Sequence, residues 1–218
     1  MSKKLLSAAA VLILGVLAVA AYLVVQGYMA APGMLRTAYQ HPLPLRVADL
    51  TPEQRHILLA VQDPTFYSHP GADFRPSEGV WTTITQILVR ELYPRRYYPR
   101  FRFLGKIRQM LLAVGFNRRV PKDEQLRLYI NEIDFGTIPG QPIYGFEAAA
   151  QVYFGKRFAD LSHEEYLSLV ATIVSPETLN PRDYPKENLD RVERIGRILR
   201  GECVPWYKGD EHYVDCFK

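Results

Sequence analysis

The sequence predicts a mainly α fold: one N-terminal helix able to cross a membrane, then a single helical domain. Three observations carry this. The run LLSAAAVLILGVLAVAAYLVV, Leu5 to Val25, holds no charge, and roughly 20 apolar residues suffice to cross a bilayer as a helix. From Thr51 onward, successive segments carry helix caps and apolar residues at three- and four-residue spacing, and no strand-like alternation lasts beyond a few residues. The 218 residues, 48% of them hydrophobic, suit one domain with a real core plus something small.

The elements follow in chain order. Lys3 and Lys4 precede the apolar run, so the N-terminus is expected in the cytoplasm and the remainder outside. A cleaved signal peptide is the alternative, helped by Ala18 and Ala20, but its apolar core usually spans only about 7 to 15 residues. Residues 1–27 are thus expected as the anchor and 28–49, with Pro32, Gly33, Pro42 and Pro44, as a linker. The helical domain is expected over 50–200. TPEQRHILLAVQD opens with Thr51 as N-cap, Pro52 at the first helical position and Gln54 closing a capping box. TTITQILVREL has helical spacing at Ile84, Ile87 and Leu88. LGKIRQMLLAVGFNRR puts Leu104, Ile107, Leu111 and Val114 on one stripe. PKDEQLRLYINEI begins with Pro121 and first-turn acids, which suit the helix dipole. YGFEAAAQVYF follows the turn GTIPGQPIYG, SHEEYLSLVATIV carries the capping box Ser162–Glu165, and ENLDRVERIGRIL closes the domain. In the tail, 201–218, Cys203 and Cys216 are expected to pair, as two nearby cysteines do in an oxidising compartment.

The net charge of +4 and pI near 9.0 fit nucleic acid, anionic lipid or a phosphorylated substrate equally well. The segment 90–108 interleaves arginine with aromatics at Arg95, Arg96, Tyr97, Tyr98, Arg100, Phe101 and Arg102. Rings at headgroup depth and guanidinium groups on phosphates suit a bilayer interface, with a solvated basic loop as the alternative. Nucleic acid uses the same residue types, but an extracytoplasmic anchored domain argues against it. No zinc-type Cys/His spacing occurs, so no cofactor is expected beyond an optional divalent cation.

Read in order, QDPTFYSHPGADF, TTITQIL, GKIRQMLLA, KDEQLRLYINEIDFG, YGFEAAAQVYFGK and RVERIGRIL resemble the successive motifs of glycosyltransferase family 51. These are the peptidoglycan glycosyltransferases, monofunctional or joined to a transpeptidase in class A penicillin-binding proteins. The resemblance covers about Leu50 to Leu199 and implies a lysozyme-like α domain of the monofunctional kind. It also implies a role in cell-wall biogenesis at the outer face of the bacterial cytoplasmic membrane. The family polymerises lipid II: the growing chain leaves its diphosphate while a lipid II hydroxyl attacks, a glutamate in the first motif taking the proton and one in the third assisting the donor side. The segment 90–108 corresponds to the family's membrane-dipping jaw. Carried over, the substrate-binding positions are Asp63, Thr82, Thr83, Gln86, Lys106 and Lys156, with Thr85 beside them and Arg102 and Arg108 as further cations; the alternatives are that Thr83, Thr85 and Gln86 cap or buttress the cleft and that the two lysines are solvated.

The resemblance breaks at its chemical centre. Both carboxylate positions hold amides, Gln62 and Gln109, and an amide cannot take up a proton at useful pH. Val80 and Trp81 replace a Gly-Gly pair, Ile87 a glutamine, and Gly105 and Val152 arginines, while Phe66, His69, Gly71, Asn131, Gly136 and Glu147 persist. Glu78 is weighed as a relocated base. His69, Glu132 and Glu147 read as residues that hold the fold. The expectation is a protein that binds lipid II or nascent glycan, with polymerase activity lost or strongly reduced, alongside other cell-wall synthases. An active enzyme with a relocated base and a non-catalytic interaction protein are the alternatives.

Overall fold

A computed structural model describes residues 3–74, 82–93, 102–138 and 140–202. Glu78, Val80, Trp81, the segment Arg95 to Phe101, and both cysteines fall outside the described residues. Helix α1 runs Lys3–Ala38, α2 Pro52–Gln62, α3 Ile84–Leu92, α4 Arg102–Arg119 and α5 Lys122–Glu132. Strands β1 (Asp134–Ile138) and β2 (Gln141–Tyr144) follow, then α6 (Gly145–Phe154), α7 (His163–Thr172), α8 (Pro176–Leu179) and α9 (Pro185–Leu199). The fold is mainly α, as expected. The expected boundary at residue 27 is not seen, because α1 continues through Pro32 and Gly33 to Ala38.

The continuation has a packing cause. Gly27, Ala31, Met34 and Ala38 form one buried stripe at helical spacing. Helix α1 packs chiefly on α4 and also touches α3. A Cβ at Gly27 would collide with the Leu112 backbone, and one at Gly115 with the Val24 backbone. Two glycines thus let the helices touch main chain to main chain. At 1.5 Å per residue, 36 residues make a rod roughly 54 Å long, well beyond the roughly 30 Å of bilayer hydrocarbon. Leu5 to Val19 are exposed along their length, and this end is long and apolar enough to cross a membrane.

Helix α4 departs from its expected orientation. Its buried face is Gln109, Leu112, Ala113, Gly115 and Phe116, whereas Leu104 and Ile107 are exposed. Apolar residues occupy both faces, so periodicity alone could not choose between them. The hairpin β1–β2 is a second departure. It is antiparallel, with a register irregularity between Asp134 and Thr137. Gly136 there adopts φ +97, open to glycine at little cost.

Helix α7 is the hub. Tyr166 to Thr172 are all buried, and the helix touches α2, α6, α8 and α9. Phe146 stacks on Tyr166 at 5.7 Å between centroids and meets Phe135 and Phe158 edge-on. The Asn188 amide donates to the Ser168 and Leu179 carbonyls, at 3.0 and 2.7 Å, and so ties α9 to α7 and α8. That tie fixes the face of α9 one turn further on, which carries Arg191.

Candidate functional site

A cleft of about 130 Å³ opens where five segments converge: the end of α2 (Val61, Gln62), α3 with its approach (Thr82, Ile87, Arg90), Ile133, Ile173–Val174, and α9 (Arg191). Gln62 is the last residue of α2, and its Oε1 accepts a hydrogen bond from the Tyr129 hydroxyl at 3.2 Å. Thr82 lines the cleft and accepts from Lys106 Nζ at 2.8 Å. Arg191, although charged, is only 1% exposed, and its Nε donates to the Ala171 carbonyl at 3.1 Å. Arg90 Nε donates to Glu91 at 2.7 Å at the other wall. Among the described lining residues there are two guanidinium groups and no carboxylate. Such a pocket is suited to an anion, which guanidinium groups bind with planar, charge-assisted hydrogen bonds.

Other residues expected at the substrate make hydrogen bonds and ion pairs within the fold. Asp63 caps the end of α2 and is wholly buried. Its carboxylate accepts from His69 Nε2 at 2.9 Å and from the Ile84 N–H at 3.0 Å, the first helical residue of α3, where negative charge is favoured. The Gly71 N–H donates to His69 Nδ1, so Nε2 carries the ring proton toward Asp63. His69 is thus the hydrogen-bonded turn residue expected. Thr83 and Gln86 form a reciprocal capping box at the start of α3, both fully buried, and Thr83 Oγ1 also donates to the Gly71 carbonyl at 2.7 Å. Thr85 donates to Gln125 at 2.6 Å. Lys156 lies outside the cleft in an ion pair of 2.7 Å with Glu165, the residue that closes the capping box of α7.

Gln109 also lies apart from the cleft lining. It is 7% exposed, and its Nε2 donates to the Gln86 carbonyl at 2.7 Å. Together with Lys106 and Thr82, it staples α4 to the start of α3. The staple needs an N–H donor, which a carboxylate lacks. The backbone of Arg102 begins α4, and Arg108 reaches Gln26 of α1 at 2.9 Å and stands 5.9 Å from the centre of the Tyr93 ring.

Lys122 is half-buried within reach of the charge of Asp63. Its ammonium sits 4.4 Å from the centre of the Phe66 ring, and burial pushes its pKa down to about 8 against the pull of Asp63. Among the described residues, no group of three or more His, Cys, Asp or Glu could hold a metal ion, and the described lining of the cleft offers a divalent cation no carboxylate.

Sequence reasoning places Arg90 only in the membrane-interface segment and Arg191 only in the RVERIGRIL motif, and names neither as a cleft residue. A signal for Arg191 existed: it shares the helical face of Asn188 and Ile195, the buried side of α9, and a charge on a buried stripe marks a site or a paired ion.

The transglycosylase family model matches residues 33–200. Penicillin-binding protein 1A of Aquifex aeolicus is 35% identical over 170 residues, 72% of this chain and 22% of its own length. Penicillin-binding protein 1A of Pseudomonas aeruginosa is 32% identical over 158 residues, 68% of this chain and 19% of its own length. A Cupriavidus necator protein named as a transglycosylase is 31% identical over 187 residues, 76% of this chain and 78% of its own. The chain therefore spans about a fifth of these two penicillin-binding relatives.

Proposed function

The chain belongs to the transglycosylase family, and from that premise we propose a membrane-anchored protein of cell-wall biogenesis whose cleft binds a polyprenyl-diphosphate-linked saccharide, lipid II or nascent glycan, with polymerase activity lost or strongly reduced. The basic residues before the anchor support an extracytoplasmic domain. The observation that carries the reading is the cleft itself: Gln62 stands with Arg90 and Arg191, with no carboxylate among the described lining residues. The guanidinium groups would hold a diphosphate, with Lys106 behind Thr82. The Gln62 amide can hydrogen-bond a sugar hydroxyl but cannot take its proton, and losing a general base costs about 10² to 10⁴ in rate. Other cell-wall synthases are the partners that such a binding protein would serve.

The test is to give the full chain, in detergent or nanodiscs, fluorescent lipid II and to read binding and polymer separately. Binding without polymer is expected. Polymer from the unaltered chain overturns the proposal in favour of a relocated base, and absence of binding leaves an interaction protein. Gln62→Glu should introduce measurable polymerisation if the rest of the cleft is competent.

A further inference from the structure

The apolar run Leu5 to Val25 extends roughly 30 Å as a helix, which is the thickness of bilayer hydrocarbon. Gln26 to Tyr28 therefore fall where the headgroups begin. Two arginines of α4 reach this short stretch. Arg108 donates to Gln26 Oε1 at 2.9 Å and stands 5.9 Å from the centre of the Tyr93 ring. Arg119, at the C-terminal end of α4, donates to the Tyr28 hydroxyl at 2.7 Å and lies 4.9 Å from the centre of that ring. Positions 26 and 28 point about 200° apart around a helix. They stand on either side of Gly27, which meets α4 main chain to main chain. The two guanidinium groups thus flank α1 at one depth.

The charge of both arginines is uncommitted. Among the described residues neither pairs with a carboxylate, and the buried Nε of Arg108 has no acceptor. Helices α1 and α4 together carry no Asp or Glu, while α4 holds Arg102, Lys106, Arg108, Arg118 and Arg119. A guanidinium group steadied by an aromatic ring and a neutral oxygen is preset for a phosphate, which takes its N–H donors in parallel pairs. At this depth a bilayer supplies phosphate with acyl chains running beside the helix. A choline or ethanolamine headgroup also brings an ammonium, and neither helix has a carboxylate to meet it. A glycerol headgroup brings no such cation.

We propose that Arg108 and Arg119 form a collar on α1 that binds the phosphodiester of an anionic phospholipid in preference to a zwitterionic one. Unlike general contact of the segment 90–108 with a bilayer, the collar selects a headgroup, and Arg119 and Tyr28 lie outside that segment. It rests on the reading of α1 as a membrane anchor and not on what the cleft binds.

The experiment takes the full chain in a non-ionic detergent, adds phosphatidylglycerol or phosphatidylcholine with the same acyl chains, and follows bound lipid by native mass spectrometry. Phosphatidylglycerol should bind about tenfold more tightly, and Arg108→Gln combined with Arg119→Gln should abolish the preference. Arg118→Gln removes the same charge from an exposed side chain that makes no bond among the described residues, and should leave the preference in place. Equal binding of the two lipids by the unaltered chain overturns the inference without any variant. A preference that survives the double substitution also overturns it. So does one that falls as far with Arg118→Gln, which would mean diffuse attraction by the net charge. Circular dichroism checks that the variants fold. Flotation with neutral liposomes tests the anchor separately. A chain that does not float refutes the anchor and the collar together, and a chain that floats without the preference refutes only the collar.

Discussion

Gln62 and Gln109 are the same substitution in sequence and opposite cases in space. The carbonyl oxygen of Gln62 is what the Tyr129 hydroxyl uses, and a carboxylate would accept that bond as well. The amide nitrogen of Gln109 is what the Gln86 carbonyl uses, and no carboxylate can supply it. Gln62→Glu should therefore change stability by less than about 1 kcal/mol. Gln109→Glu strands a buried carbonyl beside a buried charge and should cost about 2 kcal/mol or more. Urea titration of each variant gives the comparison, and equal losses would refute the asymmetry. The fold has thus absorbed one change and left the other reversible. Lys122 yields a second residue-scale prediction. Its folded pKa of about 8 lies below its ordinary 10.5, so between these values the unfolded chain holds more protons. Stability should climb with pH through that window, the penalty being fully present below about 8. Thermal melts from pH 7.5 to 10 should show the rise, and Lys122→Met should flatten it.

Among the elements, α1 and α4 depend on each other. Gly115→Leu drives a side chain into the α1 backbone and should cost about 3 kcal/mol, at the upper end for overpacking. Gly27→Leu should do the same. Combined, the two should cost little more than one, because each already separates the same pair of helices. Additive losses in thermal unfolding would count against this docking. The capping boxes at Thr51 and Ser162 and the helical domain were legible because caps and periodicity are local properties. What was not legible depended on partners distant in the chain. The sequence shows Pro32 and Gly33, which read as a linker, but not the α4 surface that keeps them helical. It shows apolar residues on two sides of α4, but not which side meets α3. In the cleft, Gln62 was legible from its motif. A cap at Thr83 is an alternative the sequence offers, but the partners of Asp63 and Lys156 are not legible in it, since they are decided by His69 and Glu165 meeting them in space.

For the whole molecule, the described lining of the cleft carries two arginines and no carboxylate. If the cleft holds a diphosphate as proposed, lipid II binding should weaken as salt rises from about 50 to about 500 mM, because the diphosphate contacts are screened. Parallel titrations at the two salt concentrations check this, and binding indifferent to salt would count against diphosphate recognition by Arg90 and Arg191.

The unbroken α1 has a mechanical consequence. A domain hung on a loose linker would drift over the membrane and sample many heights. Here the rod, long and apolar enough to cross a membrane, is bolted to α4 through Gly27 and Gly115, so in a bilayer tilt of the rod would become rotation of the domain. A thinner bilayer tilts a long apolar helix further, which would swing the exposed Phe103, Leu104 and Ile107 of α4 relative to the lipid surface. Anchored as proposed, the protein would act as a lever whose working angle follows bilayer thickness.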